Sequence, residues 1–102
     1  MSFNKKLTDQ DVIENGSATF ECALSKPDVK AEWLFNGKPI ADVFDKDSYV
    51  ISEIDGIHRL HIPKCMLKHQ GNYSLRVPSE NLETKARLGV DGLSLNFFLN
   101  TQ

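Results

Sequence analysis

The chain has 102 residues, a formal net charge of −2, and 40 % apolar and 25 % charged residues. This length fits one small domain, and the composition is typical of a soluble globular protein and argues against a disordered chain. Without a basic surplus, nucleic acid is a poor candidate partner. No apolar run approaches the roughly 20 residues that a membrane span requires, and the first ten residues lack the apolar centre of a signal peptide.

Short segments that alternate between apolar and polar residues recur between turn signals such as Asn15-Gly16, Asn36-Gly37 and Asp55-Gly56. Val12 and Ile13 are predicted to form an edge segment. Six further runs follow it, at residues 18–24, 30–35, 49–51, 58–62, 72–77 and 84–90. This spacing predicts an antiparallel all-β domain of about seven strands. Residues 64–69 are too few for a stable helix and are predicted to form one turn between two strands.

Two positions carry a family resemblance. Trp33 lies 11 residues after Cys22, and the run from Gly71 to Leu75 reads G-N-Y-S-L. This arrangement resembles the immunoglobulin domain, which has a cysteine on its second strand, a buried tryptophan on the third and a later D-x-G-x-Y-x-C signature. In this chain His69 stands where the family has aspartate, and Leu75 stands where it has the second cysteine.

Further stretches resemble the intermediate set (I-set) of immunoglobulin domains. They are the N-G-K-P-I run from Asn36, the V-I-E-N-G run from Val12 and the D-G-I-H-R-L-H-I run from Asp55. The ordered set resembles the disulfide-free domains of giant muscle proteins: titin, twitchin, obscurin, myomesin and myosin-binding protein C. The resemblance implies an all-β, immunoglobulin-like β-sandwich of two antiparallel sheets over residues 1–90.

The same resemblance implies the core and one hydrogen bond. The side chains expected between the sheets are Phe20, Cys22, Trp33, Leu60, Tyr73 and Leu75. The Tyr73 hydroxyl is expected to donate to a backbone carbonyl a few residues upstream.

The two cysteines are informative about the cellular compartment. The position that would pair with Cys22 holds Leu75, so Cys22 is expected to act as a small buried hydrophobe. The resemblance implies that Cys65 packs under a turn, at a different strand end from the position opposite Cys22. A chain without the inter-sheet disulfide fits a reducing compartment, which favours the cytoplasm. Two N-glycosylation tripeptides, Asn15-Gly16-Ser17 and Asn72-Tyr73-Ser74, point the other way.

The residue patterns that could indicate catalysis or metal binding are all weak, so no enzymatic activity, cofactor or metal site is predicted. His58 and His61 are three residues apart on a strand and point to opposite faces, and the histidines are expected at the surface. Cys65 and His69 lack a recognisable orienting carboxylate. Asp42, Asp45 and Asp47 lack the glycine and the closing glutamate of a calcium loop, and are predicted to form a solvated acidic loop that contacts protein partners.

The tail is the unusual segment. Asp91-Gly92 is predicted to end the last strand, and Leu93 to Asn100 alternates like another strand that has no place inside the fold. Residues 91–102 are therefore interpreted as a tail, a linker to a following domain, or a strand that pairs with an exposed sheet edge. Leu95 and Phe97 are the candidate contacts in this segment, and a homodimer through the tail is one expectation.

The resemblance implies a structural and protein-binding module of an intracellular sarcomeric or cytoskeletal filament protein. Expected partners are neighbouring immunoglobulin or fibronectin-type domains and filament proteins. Predicted protein contacts on the domain are Val12 and Glu14 near the edge segment, together with the acidic loop. The alternative is an extracellular adhesion or receptor module, which the two glycosylation tripeptides support.

Overall fold

The computed structural model describes residues 3–26 and 29–92. These residues form nine strands: β1 (Phe3–Lys5), β2 (Gln10–Ile13), β3 (Ala18–Leu24), β4 (Glu32–Phe35), β5 (Lys38–Pro39), β6 (Val50–Ile54), β7 (Ile57–Ile62), β8 (Gly71–Val77) and β9 (Leu82–Asp91). Four short 3-10 turns lie at Ile40–Asp42, Lys46–Ser48, Leu67–His69 and Pro78–Glu80. No helix in the described ranges is long and apolar enough to cross a membrane.

The strands form two sheets. Sheet 1 has the order β1-β3-β7-β6, and sheet 2 has the order β2-β9-β8-β4-β5. The described part of the chain therefore contains two more strands than the seven predicted: β1, which precedes the predicted edge segment, and the two-residue β5. The all-β immunoglobulin-like sandwich expected from the sequence is confirmed.

One strand pairing differs from the prediction of two antiparallel sheets. β2 runs parallel to β9, in a register from Gln10 opposite Leu88 to Ile13 opposite Asp91. The other pairings between the described strands are antiparallel. The parallel pair arises because the chain passes from the edge of sheet 1 to the edge of sheet 2 between β1 and β2.

Tight turns set the register of two hairpins. Asn36-Gly37 joins β4 to β5, and Asp55-Gly56 joins β6 to β7, with positive φ at all four residues. Two successive positive φ values define the type I′ turn, whose twist matches that of the flanking strands. These turns explain why Asn-Gly and Asp-Gly occupy these positions.

The core lies between the two sheets and consists of alternate residues of the long strands. In β3 the burial alternates strictly, with Ala18, Phe20, Cys22 and Leu24 buried. The six side chains predicted to fill the core are all buried. An aromatic cluster runs through it: the Tyr73 ring centroid lies 5.0 Å from those of both Phe20 and Phe35.

Candidate protein-interaction surfaces

The inter-sheet core lacks a sulfur bridge, and both cysteines are free and buried. Leu75 is fully buried and lies opposite Trp33 in the β4–β8 register, so leucine fills the place that the family's second cysteine would take. Burial raises the pKa of the Cys22 thiol to about 12, and it also raises the pKa of the Cys65 thiol. Because the thiolate is the reactive form, both sulfurs are expected to react slowly in the folded chain.

The turn before β8 is closed by two hydrogen bonds of His69. The Tyr73 hydroxyl donates to the His69 carbonyl oxygen at 2.6 Å, which is the hydrogen bond that the resemblance implied. The Met66 amide donates to Nδ1 of the His69 ring at 2.8 Å. His69 thus supplies the acceptor at the position where the family has an aspartate carboxylate.

His69 is buried, and so is His58, so the prediction of surface histidines is wrong for both. The His69 ring packs against Phe44, with centroids 4.8 Å apart. Because Nδ1 accepts a hydrogen bond, the neutral ring carries its proton on Nε2, and that nitrogen has no partner among the described residues. Burial, followed by the nearby Lys68 charge, lowers the pKa of His69 below its ordinary value of 6.5.

This lowered pKa makes the turn sensitive to acid. The unfolded chain takes up a proton at His69 below pH about 6.5, while the folded chain resists it, so stability is full above that pH and is lost as the pH falls. We expect His69→Asn, which keeps an acceptor oxygen near the Nδ1 position but does not titrate, to reduce the loss of melting temperature between pH 7 and pH 5. Thermal melts across this range test it. An identical pH slope in both proteins would contradict the assignment. The remaining slope is attributed to His58, whose pKa burial also lowers.

Charged side chains link neighbouring strands on the outer face of each sheet. Glu21 of β3 accepts hydrogen bonds from Arg59 of β7, at 2.8 Å from Nε, and from Lys5 of β1, at 3.3 Å. Arg59 first and Lys5 second lower the pKa of the Glu21 carboxyl. On sheet 2, Arg76 of β8 pairs with Glu32 of β4. These pairs are exposed, so each adds little to stability.

The predicted contact residues occupy different environments. Val12 is partly buried and packs against the core, whereas the next residue, Ile13, is 53 % exposed. Glu14 donates its backbone N–H to the Asp91 carbonyl at 2.8 Å. Asp42, Asp45 and Asp47 are all exposed, in and beside the 3-10 turns that follow β5. Leu95 and Phe97 lie outside the described residues.

Exposed aliphatic side chains form surfaces that were not singled out from the sequence. Leu67 is 55 % exposed, and its methyl carbons lie beside Gly92, where β9 ends. The largest group is on β6 and β7, namely Val50, Ile51, Ile54 and Ile57. The signal was present in the sequence, since β6 contains three aliphatic residues in five, but alternation alone did not show that this strand lies at an edge.

A metal site and a ligand-binding groove are the two remaining candidates for a functional site, and neither is well supported. Among residues 3–26 and 29–92, no group of three or more His, Cys, Asp or Glu side chains is placed to hold a metal ion. An open groove of about 630 Å³ lies on the outer face of sheet 2, where Asp9, Glu83, Lys85 and Arg87 contribute mixed charge.

The fold has two mainly antiparallel sheets around a buried tryptophan, and a tyrosine hydroxyl that donates to the turn before its own strand. These features define an immunoglobulin-like β-sandwich. The family model "Immunoglobulin I-set domain" matches residues 1–90. The chain therefore belongs to the immunoglobulin I-set family. Its titin-type members are structural and non-catalytic domains.

Similar proteins come from muscle. The chain is 39 % identical over 80 residues to the muscle M-line assembly protein unc-89 of Caenorhabditis elegans. The matched region covers 76 % of this chain and 1 % of that protein. It thus spans about one hundredth of that relative. A solved structure described as an IG27 protein domain is 30 % identical, with a TM-score of 0.78 over 89 % of this chain and 97 % of that one.

A second solved structure holds the titin domains z1z2 in complex with telethonin. It is 30 % identical, with a TM-score of 0.79, and the match covers 89 % of this chain and 47 % of that chain. The chain is thus an immunoglobulin domain that resembles modules of muscle proteins.

Proposed function

We propose that this chain is a spacer and protein-binding module of an intracellular sarcomeric or cytoskeletal filament protein. Residues 1–90 form the module together with Asp91, which completes β9, and the residues that follow, up to 102, form a linker or an edge-pairing strand. Its proposed partners are neighbouring immunoglobulin or fibronectin-type domains and filament proteins. The similarity to unc-89 and to titin domains supports this assignment.

The observation that carries the proposal is the parallel pairing of β2 with β9. The chain enters beside Leu24, which lies opposite Phe3, and leaves beside Ile13, which lies opposite Asp91. β3 begins at Ala18, near the exit of the chain, and ends at Leu24, near its entry. The two chain ends therefore lie at opposite ends of the sandwich. A pull on the two chain ends therefore loads the β2–β9 hydrogen bonds along the strands, in shear, and all of them must yield together.

The exit of the chain also suits contact with a neighbouring domain. Ile13, on β2, and Leu67, in the turn before β8, flank the end of β9 from its two sides. Both are more than half exposed, so the domain presents an apolar surface where the next segment begins. Burying it against a neighbour would limit bending between consecutive modules.

Glu14→Pro tests the role in bearing load. Proline removes the N–H that Glu14 donates to the Asp91 carbonyl, at an equilibrium cost of about 1–3 kcal/mol. We expect a lower unfolding force in single-molecule stretching through the chain ends. The matched control, Glu14→Ala, keeps the N–H and is expected to unfold at the wild-type force. Equal forces for the two variants would show that the load does not pass through this pairing.

The second candidate function is that of an extracellular adhesion or receptor module. Asn15 and Asn72, the acceptor residues of the two glycosylation tripeptides, are both exposed. Mass analysis of the protein expressed through a secretory pathway distinguishes the extracellular function from the intracellular one. Glycans on either asparagine, together with a secreted native protein, would favour the extracellular function over the intracellular one.

A further inference from the structure

The four sheet edges differ in how well they are protected against pairing with another strand. β5 presents exposed Lys38 and Pro39, and proline has no N–H to offer. β1 is three residues long with an irregular register, and β2 carries the exposed Asp11. Short length, charge, proline and irregularity are the usual means by which proteins block an edge.

β6 has the least protection of the described edges. It is five residues long and pairs in regular register with β7 on one side, while no strand of residues 3–26 and 29–92 pairs with its other side. Val50, Ile51 and Ile54 are 58 %, 45 % and 66 % exposed. Glu53 is its one charged residue. A regular edge with exposed β-branched side chains is suited to accept a further strand.

The sequence of β6 is complementary to itself. In an antiparallel pair centred on Ser52, Val50 lies opposite Ile54 of a second copy, and Ile51 lies opposite Glu53 of that copy. A pair centred on Glu53 instead would place two carboxylates opposite each other, which is unfavourable. The Ser52-centred register uses all five residues and places no two carboxylates directly opposite each other.

The neighbouring strand extends the apolar contact. Ile54 is the cross-strand partner of Ile57, which is also exposed, and both lie on the outer face of sheet 1. In the Ser52-centred pair, Val50 of the second copy would continue this row beyond Ile54. A two-fold axis at Ser52 would repeat the row at the other end, as in an isologous dimer interface.

We propose that β6 is a self-association edge through which two copies of this chain join their four-stranded sheets into one continuous sheet. The partner is a second copy of the same domain, because the Ser52-centred pairing aligns the exposed aliphatic residues of two β6 edges and does not place their Glu53 carboxylates opposite each other. The interface is small, so a weak dimer with a dissociation constant of about 0.01–1 mM is expected. This association goes beyond the proposed function and does not depend on it.

Ser52→Lys tests the proposal. It places two ammonium groups together at the two-fold axis and is expected to weaken dimerisation at least tenfold in sedimentation experiments up to about 1 mM protein. Ser79→Lys adds the same charge at an exposed turn outside the edges and is expected to dimerise like wild type. Thermal melts of both variants show that each is folded. A wild-type chain that stays monomeric at about 1 mM would overturn the proposal.

Two further measurements separate this interface from the tail. In the full chain, Leu95→Lys combined with Phe97→Lys is expected to leave the dimer intact, because the tail is not its contact. A dimer that this double variant abolishes and Ser52→Lys does not would also overturn the proposal. Hydrogen exchange supplies the local readout: protection of the Val50–Ile54 amides should increase with protein concentration, and constant protection would contradict β6 pairing.

Discussion

Replacing Trp33 by alanine is expected to lower the free energy of unfolding by about 3–5 kcal/mol. Trp33 is buried between the sheets, and its indole nitrogen has no hydrogen-bond partner among the described residues. Its contribution is therefore packing, and truncation leaves a large apolar cavity. A domain of this size has about 5–10 kcal/mol of stability, so the variant should lose between about a third and all of it.

Urea denaturation of wild type, Trp33→Ala and Trp33→Phe measures this effect. Trp33→Phe keeps an aromatic ring and should lose less stability than alanine. Ile54→Ala removes a mostly exposed side chain at the surface and should change stability by less than about 0.5 kcal/mol in the monomer. A Trp33→Ala midpoint close to that of Ile54→Ala would mean that the tryptophan does not support the core.

The second large effect is expected at Leu75, which stands where the family has its second cysteine. Leu75→Ala should cost about 2–5 kcal/mol, because the side chain is fully buried and its truncation leaves a cavity that the surrounding core fills only partly. The matched control is Leu67→Ala, which makes the same chemical change at a leucine that is 55 % exposed. That variant should lose less than about 1 kcal/mol.

The comparison of these two leucine variants isolates the effect of position from that of residue type. Thermal melts at a low protein concentration, where no self-association occurs, give both values under one set of conditions. Equal losses at Leu75 and Leu67 would show that leucine does not replace the bridge in holding the sheets together.

Strand periodicity predicted the core well, and the reason lies in the length of the strands. In β3 and β8 the side-chain period of two is maintained over seven residues each, so Phe20 falls on the inner face of sheet 1, and Tyr73 and Leu75 fall on the inner face of sheet 2. The Asn36-Gly37 and Asp55-Gly56 turns were equally predictable, since few other residue pairs accept two positive φ values. Local chemistry fixed these features without any knowledge of the partner strands.

Phe44 was not predictable in the same way. It lies between acidic residues in a segment without periodicity, yet it is buried, and its ring centroid lies 4.7 Å from that of Phe35 and 4.8 Å from that of His69. Its burial depends on how the segment after β5 folds over the end of the core. The burial of His69 has the same origin, because the chemistry of an isolated histidine gives no sign of the aromatic ring that covers it.

Sheet order accounts for the remaining differences. The alternation in β2 identified a strand but did not give its direction relative to β9, which is decided by the crossing from one sheet to the other. The aliphatic residues of β6 likewise predicted a strand but not its position in the sheet. Only the order β1-β3-β7-β6 shows that Val50, Ile51 and Ile54 lie on an edge and are left exposed.

Thiol titration without reductant is the most direct test of a sandwich closed by leucine packing in place of a sulfur bridge. We expect Cys22 and Cys65 to react very slowly in the native protein, since both are buried with raised pKa values, and both to react fully once the chain is unfolded in denaturant. Two reactive thiols per unfolded chain is the result this structure predicts. An unfolded chain that shows none until a reductant is added would establish a disulfide and contradict it.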